Sequence, residues 1–289
     1  MQTVAVIGLG LMGGSIAKAL KKSGNYHVIG YNRTVGVSEK ALSDGAIDEI
    51  WDGSSPIDAD ITVLAVNPNV AYKLLETLPP LLKEDSILTD ICGVKEEIVK
   101  LGEEVCLKAG LRFVGGHPMA GRERSGYDFS TEDLFFNRSY IFTETPATDK
   151  QAVNLLSKMA LDIGCADVTI TSPQHHDKMI AYTSQIPHIL AGAYMNSPTS
   201  ATHKGYSAGS YHDVSRVASV DENLWTQLFL SNKENLLYEI DILIRNLQDY
   251  KDAVARSDSS RLSGIIKTGR ILKERDIIIN GDEKPHKFG

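Results

Sequence analysis

The stretch that decides the fold is TVAVIGLGLMGGSIAKALKKSG, residues 3–24. It begins with a short apolar, β-branched run and continues with apolar residues spaced as on one face of a helix, which predicts a strand followed by a helix. Between the two lie Gly8, Gly10 and Gly13, spaced as G-x-G-x-x-G. Glycines in this context let the backbone approach a pyrophosphate, whose charge meets the free N–H groups of the helix. The stretch therefore predicts a dinucleotide-binding turn; the alternative is a tight turn without a ligand.

Strand and helix patterns alternate up to about residue 171. After the first strand, apolar and β-branched segments recur with helical segments between them. They are HVIGY (27–31), DITVLAV (60–66), DSILTDI (85–91), RFVGG (112–116), RSYIFTE (138–144) and ADVTIT (166–171). This alternation predicts an α/β domain over residues 1–171, a Rossmann-type doubly wound sheet that is mostly parallel and has helices on both faces.

The strand pattern stops after residue 171. Residues 172–197 predict a long helix with Ser172 as its N-cap, Pro173 at its first position and a kink at Pro187. Residues 198–210 predict a loop.

Strong helical patterns return at residues 221–257 and 259–279. Their apolar stripes are too large for lone surface helices and predict burial against a second subunit. We therefore expect an all-helical dimerisation and substrate domain over residues 172–280, a homodimer, and a disordered tail at 281–289.

Composition excludes several classes of protein. The 289 residues suit two domains, and 42% hydrophobic with 23% charged residues is ordinary for a soluble globular protein. The formal net charge of −7 argues against a nucleic-acid partner. There is no apolar run long enough to span a membrane, no basic region typical of a secretory signal, and no paired cysteine spacing. We expect a cytoplasmic protein without a metal site.

The end of the second strand bears on the choice of dinucleotide. An NAD site usually has an acidic residue there, but this chain has Asn32, followed by Arg33 and Thr34. Without a carboxylate, Arg33 could pair with a 2′-phosphate, which favours NADP, although NAD remains possible if Arg33 is solvated or stacks on adenine. Further cofactor contacts are expected from Leu9, Leu11, Met12 and Val66.

The segment VGGHPMAG, residues 114–121, predicts a turn that holds one histidine, His117, among small residues. Three segments together resemble the prephenate/arogenate dehydrogenase family of tyrosine biosynthesis. They are GLGLMGGSIAKAL (8–20), GGHPMAGRERSG (115–126) and GSYHDVSRVASVDENLWTQLFLSNKENLL (209–237). The resemblance implies oxidative decarboxylation of prephenate to 4-hydroxyphenylpyruvate, with hydride transfer to NAD(P)+.

The resemblance also implies roles for individual residues. His117 would be the base that takes the proton of the substrate's 4-hydroxyl, and its unperturbed pKa of about 6.5 suits that task. Residues implied to bind or enclose the substrate are Arg216, His188, Gln185, Trp225, Glu123 and Gly209. For Trp225 the alternative is core packing, for His188 a bond to a backbone carbonyl, and for Glu123 a solvated loop charge.

The chain departs from the family pattern at two positions. Gly93 stands where relatives often have a serine that bonds the catalytic histidine or the 4-hydroxyl, so a water or the thiol of Cys92 would have to substitute. Gln185 stands where relatives often have a histidine. Residues His175, His176 and Asp177 invite a metal interpretation, but neighbours on a helix point about 100° apart, which favours a polar helix start.

Other functions stay open at this stage. Arogenate dehydrogenase is a close variant. A β-hydroxyacid or imine oxidoreductase shares the glycine turn, but Lys178 and Lys204 lack the glycine frame expected of its catalytic lysine. A non-enzymatic NADP sensor would not need His117 and Arg216 together.

Overall fold

The computed structural model describes residues 1–121 and 124–281. Its sheet has eight strands in the order β3-β2-β1-β4-β5-β6-β7-β8. The strands are β1 Gln2–Ile7, β2 Tyr26–Tyr31, β3 Glu49–Ile50, β4 Ile61–Leu64, β5 Ile87–Asp90, β6 Arg112–Pro118, β7 Ser139–Thr143 and β8 Asp167–Thr171. Neighbouring strands are parallel except β6 and β7. The mostly parallel Rossmann-type sheet is confirmed, and the chain order reverses at β1, between β2 and β4.

The helices of the first half are α1 Leu11–Ser23, α2 Val35–Ser43, α3 Pro68–Thr77, α4 Glu96–Lys108 and α5 Lys150–Asp162. Those of the second half are α6 Pro173–Ile180, α7 Ile186–Met195, α8 Gly209–Ser215, α9 Glu222–Ser231, α10 Lys233–Ala255 and α11 Ser259–Asn280. None of the described helices is long and apolar enough to cross a membrane.

Strand β1 shows why the strand segments are apolar throughout rather than alternating. Val4 and Val6 belong to one hydrophobic cluster, while Ala5 and Ile7 belong to another. Successive side chains of a strand point to opposite faces, so the two clusters cover the two faces of the sheet. A strand buried on both faces has no polar side to display.

The helix predicted at 172–197 is present but interrupted. Ser172 caps α6 as predicted, since its side chain accepts a hydrogen bond from the backbone N–H of His175 at 3.2 Å. Between α6 and α7 the backbone widens into a π-helical turn over Ala181–Gln185. Pro187 explains the break, because its ring lacks an N–H and clashes with the preceding turn of a regular helix.

Two predictions about the second half need correction. The loop predicted at 198–210 contains a short 3₁₀ turn, Pro198–Thr202, and the first residues of α8. The single helix predicted at 221–257 is divided at Asn232, where α9 ends and α10 follows. Asn232 is buried and donates its side-chain amide to the backbone oxygen of Asp177 at 2.8 Å, which fixes the break.

By contacts, the chain divides into two compact units, Met1–Leu236 and Leu237–Gly289. The first holds the sheet and the helices up to α9. In the described part of the second, Arg261 pairs with Asp249 at 2.7 Å, and many apolar side chains are exposed. The boundary predicted at residue 171 stays a prediction, and most of the predicted tail, 282–289, lies outside the described residues.

Helix α1 packs closely on the glycine turn at Gly13, so a substitution there should lower the stability of the protein. A Cβ at Gly13 would lie 1.8 Å from the backbone oxygen of Gly8, whereas one at Gly10 would meet no atom within 4 Å. We expect Gly13→Ala to lower the free energy of unfolding by at least about 1–3 kcal/mol, the usual cost of overpacking. Chemical denaturation measures this, and Gly10→Ala is the control that leaves stability near the parent value. Equal stability of the two variants would contradict the packing described.

Candidate active site

Predicted site residues from the first half meet at one edge of the sheet. Gly8 follows β1, Val66 follows β4, Gly93 follows β5, and His117 lies near the end of β6. These four strands are parallel to one another, so their carboxyl ends share an edge. In open α/β sheets, ligands bind at this edge, where the strand order reverses.

The glycine turn has the form of an anion site. Gly10 caps α1 without a side-chain bond, and the first turn of α1 has no acidic residue. The first N–H groups of a helix have no acceptor within it, so those of Leu11, Met12 and Gly13 are available to an anion. The protein leaves open space above Gly10, where a Cβ would meet no neighbour. This space and these donors fit the pyrophosphate of a dinucleotide.

Residues around the turn have distinct roles. The side chain of Leu9 is buried, and the backbone N–H of Leu9 donates to the side-chain oxygen of Asn32 at 3.2 Å. The amide nitrogen of Asn32 donates to the backbone oxygen of Thr34 at 3.3 Å. Asn32 thus joins β2 to the glycine turn. Val66 lies against Gly8, at the same turn.

Arg33 and Thr34 lie beside this turn and are exposed. Thr34 is the N-cap of α2, but its hydroxyl makes no capping bond. A guanidinium, an uncommitted hydroxyl and the start of a helix therefore lie together next to Asn32, which carries no negative charge. This surface can receive an anion.

His117 lies in strand β6, opposite Ile141 of β7, and not in the predicted turn. The small residues around it suggested a turn, but antiparallel pairing with β7 extends the ladder to Pro118. The imidazole is half-buried. A strand holds the histidine more rigidly than a loop.

A chain of hydrogen bonds leads from His117 into α6. His117 Nδ1 lies 2.9 Å from His176 Nε2, and His176 Nδ1 lies 2.6 Å from Asp177 Oδ1. The carboxylate of Asp177 accepts the backbone N–H groups of Lys95 and Glu96 at 2.7 and 2.9 Å. Asp177 therefore binds the start of α4, where the helix dipole favours a negative charge.

A buried ion pair supports the backbone next to His117. Lys95 and Asp90 are both fully buried, and the Lys95 ammonium donates to the Asp90 carboxylate. Lys95 also donates to the backbone oxygen of Gly116 at 2.7 Å, and the Gly116 N–H donates to Asp90 at 3.2 Å. Both backbone groups of the residue before His117 are thus held by this pair.

The surroundings of His117 hold its pKa well below the usual value of about 6.5. Burial is the largest cause, and the positive forms of His176 and Lys95 add to it. The pKa of His176 is lowered too, chiefly by burial, although its bond to Asp177 opposes the shift. Both rings are therefore neutral near neutral pH, and a neutral imidazole can accept a proton.

The space around the other ring nitrogen of His117 is bounded by Gly93 and Leu228. A Cβ at Gly93 would lie 3.7 Å from His117 Nε2 and 3.4 Å from the Leu228 side chain. Cys92, next to Gly93, is buried in one of the two hydrophobic clusters, where burial raises the pKa of its thiol.

His188 and Trp225, both predicted to contact the substrate, lie together in the helical half of the chain. Their rings lie 3.8 Å apart between centroids, tilted by 47°. His188 Nδ1 lies 2.6 Å from the backbone oxygen of Val217, so Nδ1 carries a hydrogen. Val217 follows Arg216 in the 3₁₀ turn Arg216–Ala218, which places that arginine next to the pair along the chain. Trp225 and Leu228 are three residues apart on α9 and so share a face.

Gln185 does not lie free in the site. It is 1% exposed, and its amide nitrogen donates to the backbone oxygen of Leu228 at 3.1 Å while its oxygen accepts from Asn232 at 2.9 Å. These bonds join the π-helical turn to the end of α9. The substrate contact implied for Gln185 stays a prediction, and in the structure its amide joins two parts of the protein.

The other predicted residues are placed as follows. Gly209 is exposed at the start of α8, and Arg216 is exposed. Glu123 lies outside the described residues. Within the described ranges, no three His, Cys, Asp or Glu side chains are placed to hold a metal ion.

The sequence pattern did not indicate that His176 and Asp177 form a chain of hydrogen bonds with His117. The polar helix start expected of His175, His176 and Asp177 describes only the exposed His175. Both other side chains are buried and form the chain to His117. The signal in the sequence was weak: adjacent polar residues on an otherwise half-buried helix, with their partner 59 residues away.

Two family models match the chain. The prephenate dehydrogenase nucleotide-binding domain matches residues 16–168, and the prephenate dehydrogenase dimerization domain matches residues 172–268. The chain belongs to the prephenate dehydrogenase family.

Individual relatives agree with the family models. The chain is 32% identical to the prephenate dehydrogenase of Bacillus subtilis, over 94% of this chain and 75% of that protein. It is 31% identical to the cyclohexadienyl dehydrogenase of Zymomonas mobilis, over 90% of each. The fold is similar to that of the prephenate dehydrogenase from A. aeolicus, solved in complex with hydroxyphenyl propionate and NAD+. The TM-score is 0.85, with 32% identity, over 95% of this chain and 98% of that one.

The buried Lys95–Asp90 ion pair beside His117 should contribute to the stability of the protein. Lys95→Met leaves the Asp90 carboxylate buried without its cation, and we expect the free energy of unfolding to fall by about 3–5 kcal/mol. Lys108→Met is the matched control, because its partner Glu104 is an exposed neighbour on the same helix. Urea denaturation measures both. Similar stability of the two variants would show that the Lys95–Asp90 pair is not buried as described.

Proposed function

We propose that the chain is a prephenate dehydrogenase, which oxidises and decarboxylates prephenate to 4-hydroxyphenylpyruvate with NAD(P)+. The observation that carries the proposal is the placement of a neutral, half-buried His117 at the same sheet edge as the dinucleotide turn. Family membership supports the same reaction. A β-hydroxyacid or imine oxidoreductase and a non-enzymatic sensor have no comparable support from the residues around His117.

His117 performs the proton transfer in this proposal. The substrate's 4-hydroxyl binds near Nε2, the nitrogen that His176 does not occupy. As the hydroxyl proton moves to Nε2, C4 becomes a carbonyl carbon and its hydride leaves. Bound NAD(P)+ supplies the hydride acceptor. The bond to the ring carboxylate then breaks as carbon dioxide leaves, and its electron pair enters the ring, which becomes aromatic with the 4-oxygen as a phenolate. That oxygen takes back the proton from His117 Nε2, which gives the hydroxyl of 4-hydroxyphenylpyruvate. A base of this kind contributes about 10²–10⁴-fold to the rate.

Residues of the helical half of the chain bind the substrate's carboxylates in this proposal. Arg216 can bind a carboxylate through two N–H groups, and the His188 ring, fixed through Nδ1 on Val217, lies next to it along the chain. Trp225 provides a flat wall next to His188. Leu228 keeps the region beside His117 apolar, which favours loss of a carboxylate as neutral carbon dioxide.

We further propose NADP as the preferred cofactor. Asn32 has no negative charge to repel a 2′-phosphate, and its side chain is committed to the glycine turn. Exposed Arg33 and the uncapped Thr34 lie next to it. We also propose that the helical region 172–280 forms a homodimer, in line with its match to the dimerization domain and its exposed apolar side chains.

A steady-state assay with purified protein tests the function. Formation of reduced nicotinamide is followed with prephenate, arogenate and simple hydroxyacids, each with NAD+ and NADP+. The proposal expects the highest kcat/KM with prephenate. A higher kcat/KM with arogenate than with prephenate would instead assign the chain as an arogenate dehydrogenase. Turnover of a hydroxyacid with neither cyclohexadiene would refute it.

The lowered pKa of His117 predicts the shape of the pH profile. His117 acts as a base only when neutral, and a pKa below the usual value keeps it neutral at lower pH. We expect kcat/KM for prephenate to rise with pH and to reach half its plateau below about pH 6.5. His117→Asn should reduce kcat about 10²–10⁴-fold and leave cofactor binding near normal. A midpoint above pH 7, or full activity of the variant, would contradict the role assigned to His117.

Arg33 predicts a selective effect on the cofactor. Arg33→Ala removes the cation proposed to pair with the 2′-phosphate, so the KM for NADP should rise about tenfold or more, while that for NAD changes little. Steady-state kinetics with each cofactor at saturating prephenate measures the difference. NAD serves as the internal control, because it lacks that phosphate. Equal changes in both KM values would remove the proposed NADP preference.

A further inference from the structure

Three side chains form a directional chain of hydrogen bonds. The carboxylate of Asp177 accepts two backbone N–H groups from the start of α4, and backbone N–H groups can only donate. The same carboxylate lies 2.6 Å from His176 Nδ1, so this nitrogen carries a hydrogen. Neutral His176 then presents a lone pair at Nε2.

The direction of the chain decides the tautomer of His117. Because His176 Nε2 accepts, His117 Nδ1 must donate across their 2.9 Å contact. A neutral imidazole has only one N–H, so His117 Nε2 is left as a lone pair. That is the form a general base requires at the nitrogen facing Gly93 and Leu228.

We propose that His176 and Asp177 are positioning residues for the base: they fix the tautomer of His117 and receive the proton that it removes. This inference rests on the proposed function. The O–H bond of the substrate breaks as an N–H bond forms at His117 Nε2. The N–H bond at His117 Nδ1 then breaks, and a new one forms at His176 Nε2. The positive charge comes to rest on His176, beside the Asp177 carboxylate.

The charges around His176 suit this task. His176 and Asp177 are 2% and 1% exposed, so water does not screen their interaction. The ionisable groups around them include Lys95 and Glu96 on α4, Asp90 on β5, His117 on β6 and Tyr72 on α3, which interacts with Asp177. Lys95 pairs with Asp90, which leaves Asp177 as the counter-charge for His176.

The resting state is consistent with proton acceptance. Burial keeps His176 neutral before the reaction, although its bond to Asp177 favours the charged form. Once carbon dioxide has left, the same steps in reverse return the proton through His117 Nε2 to the phenolate oxygen of the product. A role for Asp177 in capping α4 alone would need neither a buried His176 nor its contact with His117.

The test compares His176→Gln and His176→Phe with the parent enzyme, using prephenate and saturating cofactor. Glutamine can still accept a hydrogen bond from His117 but cannot take its proton, whereas phenylalanine can do neither. We expect kcat to fall about tenfold or more for glutamine and further for phenylalanine, while the KM for prephenate changes less than threefold. Thermal unfolding and cofactor binding, followed by fluorescence, show whether each variant is folded. If His176→Phe does not fold, the comparison of His176→Gln with the parent is sufficient for the test.

The pH profile separates this role from mere packing. Both variants remove the second titrating imidazole, to which the pKa of His117 is coupled, so the acid limb of kcat/KM should move away from its position in the parent. A folded variant with kcat within twofold of the parent, or an unmoved acid limb, would overturn the inference. Failure of the parent to oxidise prephenate would instead refute the proposed function.

Discussion

One carboxylate holds the candidate site together. Asp177 accepts three hydrogen bonds: two from the backbone at the start of α4 and one from His176. A buried carboxylate is stable only when its oxygens are paired in this way. The interaction therefore fixes α6 against the helix that follows β5, and through His176 it sets the orientation of His117. Loss of any one of these bonds leaves a buried polar group without a partner.

The fold supplies the rest by placing strand ends at a common edge. The glycine turn after β1 offers helix N–H groups and open space to a pyrophosphate, while β6 carries His117 at the same edge. Antiparallel β7 extends β6 far enough to hold the histidine in a ladder. The Lys95–Asp90 pair then locks the peptide groups of Gly116. Proton and hydride transfer require such fixed distances, and loops alone seldom provide them.

Local signals in the sequence were sufficient for part of this account. The spacing of Gly8, Gly10 and Gly13 predicted the turn, apolar runs predicted the sheet, and Ser172 with Pro173 predicted the start of α6. Other features depend on contacts between distant residues. The burial of Gln185 follows from bonds to Leu228 and Asn232, the strand at His117 from pairing with β7, and the relay from His176 meeting a residue 59 positions away. Neither periodicity nor residue spacing reports such partners.

The central claim is that His117 presents an unprotonated Nε2 because Asp177 and His176 hold its hydrogen on Nδ1. Nitrogen NMR of the enzyme labelled with ¹⁵N-histidine reads this directly at neutral pH, with His117→Asn and His176→Gln used to assign the signals. The account predicts that both His117 and His176 are neutral with the hydrogen on Nδ1. A His117 signal with the hydrogen on Nε2, or a doubly protonated ring, would contradict it.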